Sequence, residues 1–338
     1  MVNKEYWNAN IYTVPIIFYG TYLAARARSP LFFTAANPAI PTAGMVGENK
    51  ADISNWIPPQ YRPKNALIQL SDSMEDMQSI IEKAGMQFPL VLKPVVGCRG
   101  LMVEKVNTLE EANEHILRFP TNFLMEEFID YPVEAAVLYW KNPETGKSGI
   151  QSVAGKAFLT VIGDGRQAVE CLLKQNPRGI LQIKRLEKEK PELLKYIPLS
   201  GEKVLVEPIG NHCRGTQFLN YNNLITTEMV AAFDKIQADL PGCYVFRLDL
   251  KTPSVSDLQA GRNIKILEIN GVGSDPAHIY DPNIPFFEIW AAYIRLWKKI
   301  FEISTALHRS GVPYMKLKEY RNYVKIQKDM EDLETWEA

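Results

Sequence analysis

The chain has 338 residues, 46% of them hydrophobic and 23% charged, the profile of a globular protein of two or three structural units. A formal net charge of −1 supplies no global basic field and argues against a nucleic-acid partner. Cys98, Cys171, Cys213 and Cys243 form no CxxC pair, so neither a zinc knot nor a disulfide framework is expected, and a cytoplasmic location fits.

Residues 11–25 and 31–36 are apolar blocks. The first predicts a helix that is too short to span a bilayer and lacks the small-residue cleavage site of a signal peptide. No integral membrane segment is expected, and contact of this helix with a membrane surface or a partner stays open. Arg26 and Arg28 follow it, and the run NPAIPTAGMVG reads as a loop. Beyond Lys50, Pro58 and Pro59 cut a short helix, and a strand begins near Asn65. Met77, Ile80, Ile81 and Ala84 recur at helical spacing before Gly85, a natural left-handed stop.

FPLVLKPVVGCRGLMVEKV then predicts a strand ending at Lys93, a turn containing Gly97 and Gly100, and a second strand. Such a flap lays backbone N–H groups over a polyphosphate, with Lys93 meeting its charge and Arg99 at the tip. A plain hairpin, whose glycines serve only the turn, reads the same residues. After a helix over 109–118, FLMEEFIDYPVEAAVLYW predicts strand, connection, strand. Phe128 and Ile129 offer apolar walls to a purine beside Glu126 and Glu127, although two adjacent glutamates also suit a solvated strand end.

Gly163-x-Gly165-x-x-Ala168 matches a dinucleotide fingerprint in form only. The acidic strand end that should follow about 20 residues later is replaced by a charged helical run. GNHCRGT, after a strand, reads as a binding loop containing His212 and Arg214. A helix over 228–239, a long apolar helix over 285–307 and a charged helical tail complete the pattern.

The most informative stretch is residues 244–275. It predicts two strands, 244–250 and 263–269, joined by a polar loop. Alternation places Arg247 and Asp249 on one face of the first, and Glu268 and Asn270 on one face of the second. If the strands pair, three hard oxygen ligands converge beside an arginine, a set suited to Mg2+ that also carries phosphate. A hairpin with a wet charged face is the plainer alternative.

In this order the pieces resemble the ATP-grasp superfamily from about residue 88 to about residue 303. FPLVLKP, EEFID, FRLDL and LEIN look like the D-alanine–D-alanine ligase group, and IGDGRQAVECLL is similar to a segment of cyanophycin synthetases. The resemblance implies an α+β fold in which two subdomains grip ATP. The expected divisions are an N-terminal unit over 1–75, a lid over 76–135, a metal-bearing subdomain over 136–305 and a helical tail over 306–338. It implies that Lys50, Lys93, Gly97, Arg99 and Gly100 meet the phosphates. Glu126, Glu127, Phe128 and Ile129 would hold the adenine, and Glu134 the ribose. Asp249, Glu268 and Asn270 would hold two Mg2+ ions, with Mn2+ an acceptable substitute, and Arg247 would stabilise the oxyanion.

The implied activity joins a small-molecule or peptide-like carboxylate to an amine through an acyl-phosphate; a homodimer is compatible with it. A phosphotransferase, or a nucleotide-binding protein without turnover, are the competing readings. Glu126 and Glu134 stand one residue further apart than in the dipeptide ligases, and NGVGSDPAHIYD replaces their Ser- and Gly-rich turn. These departures place the acceptor pocket at 211–217 and 271–280, with Arg214 and His278 as its expected functional side chains.

Overall fold

The computed structural model describes residues 9–46, 54–95 and 102–334, with side chains from residue 16 to residue 328 within those stretches. Lys50, Gly97, Arg99 and Gly100 lie outside the described residues.

Helix α1 (Ala9–Ala27) opens the described chain and leads into two 3₁₀ turns, Phe32–Ala35 and Pro41–Ala43. β1 (Asn65–Ile68), β2 (Leu90–Pro94), β3 (Glu104–Val106) and β4 (Phe123–Glu127) pair antiparallel in the order β1-β4-β2-β3. Helices α2 (Met74–Lys83) and α3 (Leu109–Leu117) pack on this sheet through Met77, Ile81 and Ile116 against Ile68, Leu90, Leu92 and Met125. The start of α2 is fixed by a reciprocal cap. Asp76 N donates to Ser73 Oγ at 3.1 Å, and Ser73 N donates to Asp76 Oδ2 at 3.0 Å.

Next come β5 (Val133–Lys141) and β6 (Ser148–Ala157), then an insertion made of β7 (Thr160–Ile162), α4 (Val169–Lys174), α5 (Ile183–Glu189), α6 (Pro191–Lys195) and β8 (Lys203–Leu205). β7 and β8 pair antiparallel, so the glycines at 163 and 165 turn the chain away from any dinucleotide-binding unit. The chain returns through β9 (Gln217–Asn220), α7 (Thr227–Ala238), β10 (Val245–Thr252), α8 (Val255–Ala260) and β11 (Lys265–Asn270). β5, β6, β9, β10 and β11 form a second antiparallel sheet, ordered β11-β10-β5-β6-β9. Two long helices, α9 (Phe286–Arg309) and α10 (Leu317–Glu334), end the described chain.

Alternation along β10 and β5 divides this second sheet into two different faces. Phe246, Leu248 and Leu250, with Ala135, Val137 and Tyr139, pack against Met229, Phe233 and Ile236 of α7. Arg247, Asp249, Lys251 and Glu134 consequently point the other way. Burying the apolar face against a helix is what fixes the register of the polar one.

Three boundaries differ from expectation. β1 pairs with β4, so the first sheet takes in residues 65–68, ahead of the division expected at residue 76. The connection between β10 and β11 contains α8, capped by Ser254 Oγ, which accepts from Asp257 N at 3.0 Å. α9 runs past residue 305 to Arg309 before the tail helix begins.

Asn37 is a central tie between the segment ahead of the first sheet and the second sheet. Asn37 is fully buried. Its Oδ1 accepts from Tyr244 N at 2.8 Å and Val245 N at 2.9 Å, and its Nδ2 donates to Val245 O at 2.6 Å and Ala43 O at 3.1 Å. Val272 N and Gly273 N then donate to Ala43 O and Gly44 O, both at 3.0 Å. The two backbones approach so closely that a Cβ on Gly271 would stand 2.2 Å from Ala43 O. Thr42, Ala43 and Gly44 are all left-handed, at φ 54°, 57° and 75°. For Thr and Ala this conformation costs on the order of 1–2 kcal/mol each, so the surrounding bonds must hold it in place. Asn37→Ala leaves four buried backbone contacts unmade and should lower unfolding stability by about 3 kcal/mol or more. A denaturant titration with unchanged slope and a shifted midpoint is the expected readout.

Candidate functional site

A cleft of about 730 Å³ lies between the two sheets. Its walls include Lys93 and Glu126 from the lid, Glu134 and Lys156 from β5 and β6, and Arg247, Asp249 and Lys251 from β10. Glu268 and Asn270 from β11, and Met45 and Val46 from the N-terminal loop, also border it.

β10 and β11 pair as their sequence suggested. Arg247 stands opposite Asn270 and Asp249 opposite Glu268, with an irregularity just after Asp249. Arg247 Nε donates to Asp249 Oδ1 at 3.2 Å. From there, charges alternate along the floor of the cleft. Lys156 Nζ is 3.8 Å from Asp249 Oδ2 and 2.8 Å from Glu134 Oε1, and Lys251 Nζ is 3.8 Å from Glu134 Oε2. Lys251 ends the series at the lid connection, donating to Ile129 O at 2.9 Å. Its ammonium also lies 4.9 Å from the Phe128 ring centre and 5.6 Å from that of Phe158.

Burial opposes the charges of Arg247, Asp249, Lys156 and Lys251, and their neighbours decide the direction of each shift. Around Lys156, burial works against the ammonium, yet Asp249 and Glu134 hold its pKa above the ordinary lysine value. For Asp249, burial is overcome by Arg247 and Lys156, which keep the carboxyl below its usual range. The Arg247 guanidinium stays above its ordinary value against burial, through Asp249, Glu268 and Asp275. Lys251 is the exception. Burial lowers its pKa despite Glu134 and Asp130.

Lys93 links the lid to the floor. Its Nζ is 2.5 Å from Glu126 Oε2 and donates to Leu267 O of β11 at 3.1 Å. Burial disfavours its charge, but Glu126, Glu268 and Glu134 raise the pKa overall. Lys93, Lys156 and Arg247 therefore remain cations within one cleft, the arrangement that a polyphosphate requires.

Among the described residues no group of three or more His, Cys, Asp and Glu gathers into a metal-holding cluster. Asp249 and Glu268 supply two carboxylates and Asn270 an amide oxygen, while Asn270 Nδ2 is buried with no hydrogen-bond partner. Such a set suits Mg2+ only where phosphate and water complete its six oxygens.

Glu127, Phe128 and Ile129 border the cleft at the lid connection. Glu127 Oε2 accepts from Lys64 N at 3.4 Å, so this carboxylate is directed at the lid edge. Glu134, expected at the ribose, sits between two lysines beneath Gly210, where a Cβ would approach within 2.1 Å of Glu134 Oε1.

Two expected acceptor residues do not line the cleft. Arg214 is buried and turned to Glu207, with Nη1 3.6 Å from Oε1. Glu207 itself is fully buried and also pairs with Arg185 at 2.8 Å, so the three charges tie the 212–214 turn to the helical part of the insertion. His278 is 1% exposed, and its Nδ1 lies 2.7 Å from Ser152 Oγ beneath the second sheet. The loops that carry them do reach the cleft, through His212, Cys213, Ser274, Asp275 and Tyr280. His212, Phe218 and Tyr280 form an aromatic wall with ring centres 5.3–6.0 Å apart. Burial, then Arg178, pushes His212 down to about 4, so it is neutral near pH 7. Asp275 fixes the wall, accepting from Tyr280 OH at 2.5 Å and from Tyr293 OH at 2.7 Å.

Comparison with known proteins agrees with the sequence motifs. Residues 60–138 match the family model of the RimK-like ATP-grasp domain, bearing out the ATP-grasp resemblance and the α+β fold expected from it. Among curated proteins no sequence matches the chain. Solved structures to which it is similar include a bifunctional glutathione synthetase from Pasteurella multocida, at 15% identity and TM-score 0.36, covering 69% of this chain and 33% of that one. The VanG D-Ala:D-Ser ligase from Enterococcus faecalis is similar at 16% identity and TM-score 0.43, covering 76% of this chain and 64% of the ligase. A D-alanine–D-alanine ligase from Bacillus anthracis is similar at 12% and 0.44, covering 78% and 68%. The chain thus spans a third of the first of these and just under two thirds of the second.

The buried histidines carry a pH signature. Burial lowers His278 from 6.5 to about 4. Between those values the unfolded chain binds a proton that the folded one does not, so stability falls as pH drops through the window. Over the interval from 6.5 to about 4, His278→Gln should remove about 2 kcal/mol of that acid loss, measured by denaturant titration at stepped pH.

Proposed function

We propose that the protein is an ATP-dependent carboxylate–amine ligase. The observation that carries the reading is the cross-strand pairing of Arg247–Asp249 with Asn270–Glu268, facing Lys93 of the lid across one cleft. Support for ATP comes from the RimK-like ATP-grasp match over residues 60–138.

A carboxylate is a poor electrophile until one oxygen becomes a good leaving group. The γ-phosphoryl group of ATP is transferred to that oxygen: its bond to the bridging oxygen breaks, ADP leaves, and a mixed anhydride remains. The amine nitrogen then attacks the acyl carbon, the bond from that carbon to the phosphate oxygen breaks, and phosphate departs as the nitrogen loses a proton. Lys93 and Lys156 bind and offset phosphate charge through both displacements, and Arg247 faces the oxyanion of the tetrahedral intermediate. Asp249, Glu268 and Asn270 would hold Mg2+, which supplies further charge neutralisation when bound. The loop with Met45 and Val46 and the lid exclude water that would hydrolyse the anhydride.

Acceptor recognition falls to the wall of His212, Phe218 and Tyr280. Arg214 and His278 act behind it, as supports of the two loops. The phosphotransferase alternative shares the first displacement and lacks the second, so the partial reactions separate the two.

Incubation with ATP, Mg2+ and a panel of amino acids and dipeptides should release phosphate only where an acid and an amine are both present, with an amide in the mass spectrum. A phosphorylated acid that accumulates without amine would assign a phosphotransferase instead. Asp249→Asn should lower kcat by about 100-fold or more, because the site loses one of the two carboxylates that would hold Mg2+ and Arg247 loses the charged acceptor that orients it. Turnover within a few-fold of the parent would remove Asp249 from the reaction.

A further inference from the structure

Away from the cleft, the helical side of the molecule has an unusual surface. α1 carries no charged residue from Ala9 to Ala25. Leu23 is buried against α9 and the 32–35 turn, as an inward face should be. The opposite face is not polar. Ile17 is 61% exposed, Phe18 74% and Tyr22 54%, and these positions, with exposed Thr21 and Ala25 between and after them, form one stripe. The core does not need this stripe, and a solvated helix face normally carries charge there.

Charge gathers around it. Residues 9–36 and 286–328 contain eleven Lys and Arg against three Glu and no Asp, a net of +8, whereas the whole chain is −1. These segments pack together. Phe32 of the turn meets Trp297 and Phe301 of α9, and Phe33 meets Tyr320 of α10, with ring centres 5.7–6.1 Å apart. Met315 N donates to Thr34 Oγ1 at 2.9 Å, which docks the start of α10 beside α1. Arg26, Arg28, Lys318 and Arg321 are exposed on this layer, and the Arg26 guanidinium lies 5.8 Å from the Tyr22 ring centre. Glu319 is the one acid of α10 within this span, and Gln327, further along the helix, borders the cleft.

We infer that this layer docks the protein on an anionic phospholipid surface, with Ile17, Phe18 and Tyr22 seated among the acyl chains and the Arg26–Arg28 and Lys318–Arg321 cations among the headgroups. An uncharged apolar stripe with aromatic rings and a basic margin is the combination that binds reversibly in the plane of a bilayer. Among the described residues no helix is long and apolar enough to cross one, so the contact is peripheral. Nucleic acid would use the cations but not the apolar stripe. A second copy would bring the same +8 layer against itself, which charge disfavours.

Sedimentation of the full chain with lipid vesicles tests this. The protein should pellet with vesicles that are about a third phosphatidylglycerol, remain in solution with phosphatidylcholine alone, and be released as salt approaches about 0.5 M. The double variant Ile17→Asp/Phe18→Asp should lower the partition coefficient about tenfold or more with an unchanged melting temperature, both positions being exposed. Lys318→Glu/Arg321→Glu leaves the stripe intact and should weaken binding to the anionic vesicles as well. Failure to pellet with anionic vesicles, or pelleting that neither double variant reduces, would overturn the inference. So would a concentration-dependent dimer, seen by light scattering, that the first variant abolishes while no vesicle binding is found.

Discussion

Five side chains of alternating charge, Arg247, Asp249, Lys156, Glu134 and Lys251, form the floor on which the site depends. Each is largely buried, and an unpaired charge at such depth would neutralise or unfold its surroundings. For Arg247, Asp249 and Lys156 the opposite charges alongside outweigh burial, whereas for Lys251 burial prevails. The row is a scaffold as much as a binding surface. It keeps Arg247 and Lys156 charged against burial, and it connects the Ile129 carbonyl, between the two sheets, to the cross-strand pair of Asp249 and Glu268.

That floor is positioned by the apolar face beneath it. Phe246, Leu248 and Leu250 cannot slip by one residue without placing Arg247 and Asp249 in the core, so hydrophobic packing fixes the geometry of a polar site. The end wall is held in the same indirect way. Asn37 pins the strained turn at Thr42–Gly44 to β10 and to the exit of β11, and the turn then presents Met45 and Val46 to the cleft. Arg185, Glu207 and Arg214 serve a parallel purpose on the opposite side, where they seat the loop that carries His212.

The legible parts of the sequence were those governed by local periodicity. Alternation in FRLDL and LEIN was enough to bring Asp249 and Glu268 face to face, and the two strands on either side of the EEFID connection were visible as separate segments, though not their assignment to different sheets. The same alternation already placed Lys251 on the face of Asp249, a signal that the motif boundary at Leu250 hid. Lys156 had no comparable marker, because one lysine in an apolar strand does not reveal which distant carboxylates it meets. Arg214 and His278 went astray for a related reason. Both loops border the cleft, but whether a side chain faces the cleft or its supports depends on partners such as Glu207 and Ser152, which lie on other elements. The membership of β1 in the lid sheet depended on pairing with β4, some 60 residues away, which no local pattern encodes.

The alternating row is proposed as the floor of a nucleotide–metal site. Anomalous diffraction from crystals grown with a non-hydrolysable ATP analogue and Mn2+ addresses it directly. The account predicts manganese density beside Asp249, Glu268 and Asn270, phosphates against Lys93 and Lys156, and the purine at Glu127–Ile129. Manganese and nucleotide bound elsewhere, with the five-residue row undisturbed, would contradict it.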